Sequence, residues 1–309
     1  MRVRKPVSVH EPVMVQECLH WLTAPERGGL MIDGTVGDGG HAQRFLDRYP
    51  SLSLLAVDVD AHMLERARRT LGRFGRRVEF ERGWFADVMA RRSGSAHLVL
   101  LDLGLASYHF DCSARGFSFR GCEPLDMRLD ERLPRTAADI LNEEPESALA
   151  DLFYQYGEER HARRIARAVA RQRAERPLRT TGELEELVWR AYPPPQRRRG
   201  GIHPATRSFQ ALRIAVNDEL RRLETGLAAA LRCLAAGGSI GVIAFHSLED
   251  RIVKQHLRRA AQEPPAAGAG AAWEVCTKRP LRPAPAEVHA NPRSRSARLR
   301  VARKVADHG

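Results

Sequence analysis

In the first third of the chain, short apolar runs end at residues whose types suit the binding of a nucleoside. Asp33 closes Leu30–Asp33 and opens the loop Asp33-Gly-Thr-Val-Gly-Asp-Gly-Gly40, with His41 next. Asp58 follows Leu52–Val57, Gly83-Trp84-Phe85 follows Val78–Phe80, and Asp102 closes His97–Leu101. If each run is a strand of an open parallel sheet, these residues share the carboxyl edge, where such sheets hold ligands. Glycines at 37, 39 and 40 let backbone approach a ligand with no Cβ in the way. Asp58 is placed to accept hydrogen bonds from ribose hydroxyls, and Phe85 offers a ring to an adenine face.

Two cofactor classes compete for this loop. The dinucleotide fingerprint is G-x-G-x-x-G, whereas this loop reads G-x-x-G-x-G-G. Asp33 and Asp38 set negative charge beside it and no basic residue lies within it. That balance suits a sulfonium cation and an ammonium better than a pyrophosphate, so S-adenosylmethionine is favoured. A nicotinamide-dependent oxidoreductase is the rival, and a purely structural glycine turn is the bland alternative.

Three later segments carry candidate substrate contacts. Arg115–Arg128 is dense in Gly, Arg, Phe and Asp, with Arg115, Phe119, Asp126 and Arg128 as candidates. Aromatics interleaved with Arg suit base stacking and phosphate contact; the alternative is a packed loop with Phe117 and Phe119 as its core. In His203–Leu220, Thr206, Gln210, Arg213 and Asn217 recur at helical spacing beside Arg207, and either line a polar cleft or form a solvated face. Phe245-His-Ser-Leu-Glu-Asp-Arg251 ends a fifth strand, with His246, Ser247, Asp250 and Arg251 as candidates for placing a base. A structural role for the lone His is the competing reading. The tail Asn291–Arg300 carries Arg293, Arg295, Arg298 and Arg300, and reads as an exposed basic edge gripping RNA backbone without reading sequence. No metal-ligand spacing and no strand–turn nucleophile motif is present.

The elements follow from the periodicity. Strands at 30–33, 52–57, 78–80, 97–101 and 239–245 alternate with helices at 41–48, 61–71 and 248–259, which predicts a parallel sheet covered on both faces. Between Asp111 and Pro204 there is no buried strand pattern; Ser147–Tyr156, Glu158–Arg173 and Thr181–Tyr192 read as helices, the last capped by Thr180 or Thr181 with Glu183. One long helix is expected over Thr206–Leu234. Pro193–Gly201 reads as a basic loop, Pro264–Ala272 as a low-complexity linker, and Trp273–Thr277 with Arg298–Val305 as a terminal hairpin. The expected organisation is a discontinuous domain, residues 1–110 with 205–309, interrupted by a helical substrate-recognition domain over 111–204.

Composition narrows the partner. Fifty Lys plus Arg face 38 Asp plus Glu, a formal charge of +12. Only Lys5, Lys254, Lys278 and Lys304 are lysines; codon bias exchanges Lys for Arg but creates no such surplus, which points to a phosphate-rich partner. No apolar stretch is long enough to span a bilayer, and no secretory leader pattern follows Met1. The five cysteines form no C-x-x-C pair and fit reduced thiols in a cytoplasm.

His10–Met14, Asp33–His41, Asp102–Gly104, Arg115–Arg128, Tyr156–Arg160, His203–Asn217, Phe245–Arg251 and Asn291–Ala297 together resemble the bacterial S-adenosylmethionine-dependent methyltransferases that modify cytosine N4 in small-subunit rRNA. The resemblance implies a Rossmann-like class I methyltransferase sheet with an inserted all-helical domain. It implies cytidine 1402 of the 16S rRNA, in the decoding centre of the small ribosomal subunit, as target, with S-adenosylmethionine as cofactor. It implies cofactor contacts at Gly39, Gly40, His41, Asp58, Phe85, Asp102 and the position of His109, to which the loop adds Gly37. Asp102 and His246 are the candidate catalytic residues. Two departures stand out: Gly104-Leu-Ala-Ser-Tyr-His109 replaces the family's Gly-Val-Ser-Ser-Pro-Gln, so Ala106 lacks a hydroxyl and His109 stands where Gln is expected. A catalytically silent ribosome-assembly factor is a further rival. Oligomeric state stays open, with a homodimer as one candidate.

Overall fold

The computed structural model describes residues 12–197, 203–262 and 272–305. The linker expected over Pro264–Ala272 lies outside these residues as far as 271, as does the end of the basic loop from 198. The chain forms two compact units, one from residues 1–104 and 221–309 and one from residues 105–220.

The first stretch alternates helix and strand: α1 Val15–Trp21, β1 Gly29–Asp33, α2 Gly40–Arg48, β2 Leu52–Asp58, α3 Ala61–Leu71, β3 Val78–Arg82, α4 Phe85–Ala90 and β4 Ala96–Asp102. Six helices follow: α5 Ser107–Asp111, α6 Ala137–Glu143, α7 Glu146–Gly157, α8 Ala162–Glu175, α9 Thr181–Ala191 and α10 Ala205–Asn217. The chain closes with α11 Glu219–Cys233, β5 Leu234–Ala244, α12 Ser247–Gln262, β6 Trp273–Val275, α13 Pro285–Ala290 and β7 Arg298–Lys304.

All seven strands join one sheet in the order β3-β2-β1-β4-β5-β7-β6. β1 to β5 are parallel, while β7 runs antiparallel to both β5 and β6. Successive residues alternate faces as a pleated strand requires. Met31, Leu54, Leu98 and Leu100 pack under α1 to α3 with Cys18, Phe45 and Leu64. Ile32, Leu55, Val99 and Leu101 pack on the other face with Val88 of α4, Leu227 of α11 and Val253 of α12. The α/β class is as expected, and the sheet order reverses between β1 and β4, making a crevice beyond their carboxyl ends.

The terminal hairpin of β6 and β7 forms, but β7 is not an edge: it lies between β5 and β6. Arg300 on it is 7% exposed and donates to Asp250 from Nε (2.7 Å) and from its terminal nitrogen (3.1 Å). The reading of Arg298–Arg300 as an open basic edge is therefore corrected: Arg300 joins β7 to α12.

The helical unit has its own core, with Phe153 of α7, Ile165 and Val169 of α8, Val188 of α9 and Leu212 of α10. Capping boxes open α6 at Thr136 with Asp139 and α9 at Thr180 with Glu183. The single helix expected over Thr206–Leu234 is two helices broken at Asp218, whose φ of 52° is left-handed. α10 packs with α7 and α9 in the helical unit, so the observed division falls at 104/105 and 220/221 rather than at 110/111 and 204/205. The residues 193–197 include one short 3₁₀ turn, Pro194–Gln196, where an irregular loop was expected. All five cysteines are unpaired.

Candidate active site

The glycine loop crosses the carboxyl edge of β1. Gly37 (φ 54°) and Gly39 (φ 84°) adopt left-handed backbone, which side chains with a Cβ resist. Gly39 is the N-cap of α2 and brings no side chain to cap that helix start. Asp58 at the end of β2 accepts the Gly37 N–H (2.9 Å) and the Asp60 N–H (2.9 Å). Those two bonds orient the carboxylate that the sequence assigns to the ribose.

Asp102 ends β4 beside β1. Its own N–H donates to Thr35 Oγ1 (2.7 Å), and its Oδ1 accepts the Gly104 N–H (3.0 Å). Its Oδ2 lies 3.6 Å from His41 Nε2. His41 is 6% exposed, and among the described residues neither of its ring nitrogens has a hydrogen-bond partner. A buried imidazole gains from a polar partner on either nitrogen.

Asp33 lies in the same crevice, 2% exposed. Burial pushes its carboxyl up to about 7; His41 and the Thr35 N–H pull it down, and Asp102 and Asp58 raise it further. Asp33, Asp58 and Asp102 thus form a negative cluster that a cation offsets. Asp38 contributes less than its position suggested, because Arg66 of α3 is ion-paired with it.

Phe85 differs from expectation. It is 8% exposed and packs in the core, where a Cβ on Gly226 would sit 2.0 Å from its ring. No open adenine-stacking face is preformed there. Trp84 beside it is capped by the Arg222 guanidinium, 4.1 Å from its ring centroid.

His246 follows β5, the strand next to β4. It occupies the N-cap position of α12: its Nδ1 accepts the Glu249 N–H (3.4 Å), and Glu249 Oε2 accepts the N–H groups of Phe245 (2.8 Å) and His246 (3.2 Å). This is a capping box with His in the place of Ser or Thr. Glu249 Oε1 lies 3.1 Å from His246 Nε2. Glu249, 3% exposed, is a functional candidate that sequence reasoning missed, although its place three residues after His246 is a capping signal. Asp250, expected to help place a base, is engaged by Arg300 and lies 3.7 Å from Arg298. Ser247 is half-buried and Arg251 exposed on α12.

In the helical unit, most predicted substrate contacts hold the fold. Arg115, 8% exposed, donates to the Arg128 carbonyl (3.0 Å) and lies over Phe117. Arg128 binds Asp126 through two nitrogens, each at 2.8 Å. Burial lifts the Asp126 carboxyl, but Arg128 more than offsets that and holds it below the usual range. Asn217 is fully buried, accepting the Leu129 N–H (2.7 Å) and donating to the Met127 (2.8 Å) and Arg213 (2.9 Å) carbonyls. It is neither in an open cleft nor on a solvated face; it ties α10 to the 127–129 loop. Arg213 forms a two-point pair with Glu219 (both 2.8 Å), and Arg207 donates to the Glu158 carbonyl (3.2 Å). Phe119 stacks on His203 (4.7 Å), which also stacks on Trp189 (5.5 Å). His109, 5% exposed, meets Phe117 edge-on.

A family model for the MraW methylase family matches residues 7–305. The chain belongs to the MraW methylase family. Its relatives include ribosomal RNA small subunit methyltransferase H of Symbiobacterium thermophilum, 48% identical with 96% of each chain covered. The protein of that name from Trichormus variabilis is 46% identical, over all of this chain and 96% of that one. The one from Treponema denticola is 44% identical, over 96% of this chain and 98% of that one. Among solved structures, a geranyl diphosphate methyltransferase matches with a TM-score of 0.42 at 10% identity, covering 94% of this chain and 78% of that one. This MraW-family chain is thus a methyltransferase whose glycine loop and carboxylates line the switch-point crevice. Among the described residues, no helix is long and apolar enough to cross a membrane.

Proposed function

We propose that the protein transfers a methyl group from S-adenosylmethionine to the N4 amine of a cytidine in the 16S rRNA, cytidine 1402, in the small ribosomal subunit of the cytoplasm. The observation that carries the reading is the crevice at the β1/β4 switch point: three carboxylates, one of them with its carboxyl raised to about 7, around a buried His41 whose ring nitrogens have no hydrogen-bond partner among the described residues. A cation and a polar edge satisfy both features, whereas a pyrophosphate adds charge of the wrong sign. The family and the naming of relatives as rRNA methyltransferases support the substrate class.

Bound S-adenosylmethionine supplies a methyl group already activated on a sulfonium. The chain's task is then alignment and exclusion of water. Asp58, fixed by two backbone N–H groups, holds the ribose. Gly37, Gly39 and Gly40 admit the donor against backbone. Asp102 Oδ1 is held by the Gly104 N–H, so Oδ2 accepts one N4–H of the cytosine. That bond favours a pyramidal amine with its lone pair exposed. His246, pinned by Glu249, positions the base, which must be unstacked to reach the donor. The helical unit supplies RNA contacts.

The test is incubation with methyl-labelled S-adenosylmethionine and small subunits from cells lacking this modification, followed by mapping of the label. Label on N4 of that one cytidine is expected. Stable binding to subunits without transfer would favour the assembly-factor reading instead.

A further inference from the structure

The charge on α8 works against the helix's own stability. Its buried face is Ala162, Ile165, Ala166 and Val169. Opposite them, Arg163, Arg164, Arg167 and Arg171 are all exposed. At 3.6 residues per turn these four fall within an arc of about 100° and span about 12 Å of helix axis. Arg163 and Arg167, Arg167 and Arg171, and Arg164 and Arg167 are like-charge neighbours at helical spacing, which destabilises a helix. Arg163 and Arg164 also sit in the first turn, the end that disfavours cations.

Other helices are built the opposite way. In α9, Glu186 pairs with Arg190 four residues on, and in α3 Glu65 pairs with Arg69. Among the described residues, the stripe on α8 has one ion-pair partner, Glu146, 3.7 Å from Arg167 with both side chains exposed. Among the described residues, Arg163, Arg164 and Arg171 have no ion pair. Arg173, by contrast, turns away and donates to the Leu141 (2.9 Å) and Glu144 (2.6 Å) carbonyls at the end of α6. Codon bias explains Arg in place of Lys; it does not explain why Glu175, in the last turn, is the helix's one acid.

We propose that this arginine stripe on α8 is a docking surface for RNA phosphate backbone, a deepening that rests on the rRNA substrate proposed above. Guanidinium groups grip phosphate in a two-point manner, and a row of them along one helix fixes an RNA strand in register without reading its bases. Phosphate neutralisation relieves the repulsion that the free protein carries.

The experiment uses the full chain and a fluorescein-labelled RNA hairpin with a 20-base-pair stem, titrated at several salt concentrations. The stripe variant is Arg163→Gln, Arg164→Gln, Arg167→Gln and Arg171→Gln together. A charge-matched control replaces the exposed Arg44, Arg48, Arg258 and Arg259 with Gln. The stripe variant is expected to bind at least about tenfold more weakly, with a log K against log salt slope shallower by about 3, from about 0.7–0.9 for each phosphate no longer neutralised. The control is expected to change by less than about threefold. The melting temperature of the stripe variant is expected to equal or exceed that of the wild type, and its donor binding to stay unchanged. If the fourfold variant does not fold, Arg163→Gln with Arg171→Gln is read instead, with about half the slope change. Equal losses in stripe and control, or no loss in the stripe variant, overturn the assignment. So does equal loss of poly-L-glutamate binding, which would make the stripe a general acidic-partner surface. If the wild type neither binds the hairpin nor methylates subunits, the rRNA reading falls as well; if it does both and stripe matches control, only the stripe assignment falls.

Discussion

Replacing Asp33 with Asn isolates the electrostatics of the crevice. The Asp33 carboxyl is held up to about 7 in the folded protein, against 3.8 as its ordinary value, chiefly by burial. A carboxyl raised on folding binds more protons in the native state than in the unfolded one. Its contribution to stability is therefore fully present below the unfolded value and is lost as pH rises toward 7. From pH 5 to pH 8 the loss covers about two pH units, or on the order of 3 kcal/mol at about 1.4 kcal/mol per unit. The substituted side-chain amide does not titrate, and its carbonyl oxygen still accepts the Thr35 N–H, which Asp33 accepts at 3.2 Å. The Asp33→Asn variant is thus expected to gain stability relative to wild type by on the order of 3 kcal/mol between pH 5 and pH 8. Urea unfolding without donor, read through hydrogen exchange of β1 and β4, reports this unit alone. A stability difference constant to within about 0.5 kcal/mol across that range would refute the reasoning. The same linkage predicts that donor affinity in wild type rises as pH passes upward through 7, because ionised Asp33 is the form that attracts a cation.

Three further outcomes follow from contacts elsewhere. Asn217→Ala removes three hydrogen bonds from a fully buried site and is expected to destabilise the helical unit by about 2–4 kcal/mol, measured by exchange protection in α10. Asp250→Ala leaves Arg300 buried without its two-point partner and should cost about 3 kcal/mol or more in thermal or urea unfolding. Gly226→Ala forces a Cβ into the Phe85 ring; a loss of about 1–3 kcal/mol is expected in urea unfolding.

The crevice was legible because parallel strands announce themselves: apolar runs closing on Asp33, Asp58 and Asp102 put those side chains at one edge of the sheet. Helix faces at 61–71 and 181–191 were legible for a similar reason, the spacing of Leu and Ala. The break between α10 and α11 was not, since Asp218 takes the left-handed conformation that usually announces itself as Gly. Missing that break moved a whole helix into the wrong unit. The Arg298–Arg300 segment looked like an open edge because its partner, Asp250, is 50 residues away in sequence. For Arg115, Arg128 and Asn217 the residue types suit RNA, and what the sequence does not show is that they also hold the unit through backbone carbonyls and Asp126. Residue type signals what a side chain can bind, and only the folded contacts show what it has already bound.

The central claim is that the β1/β4 crevice is built for a sulfonium donor held through Asp58. Calorimetric titration of the wild type and of Asp58→Ala with S-adenosylmethionine, and of the wild type with reduced nicotinamide dinucleotide, tests it directly. One donor site per chain is expected, with at least about a tenfold weaker site in the Asp58 variant from the missing carboxylate hydrogen bonds and no heat from the dinucleotide. Tight binding of the dinucleotide, or donor affinity indifferent to Asp58, would contradict it.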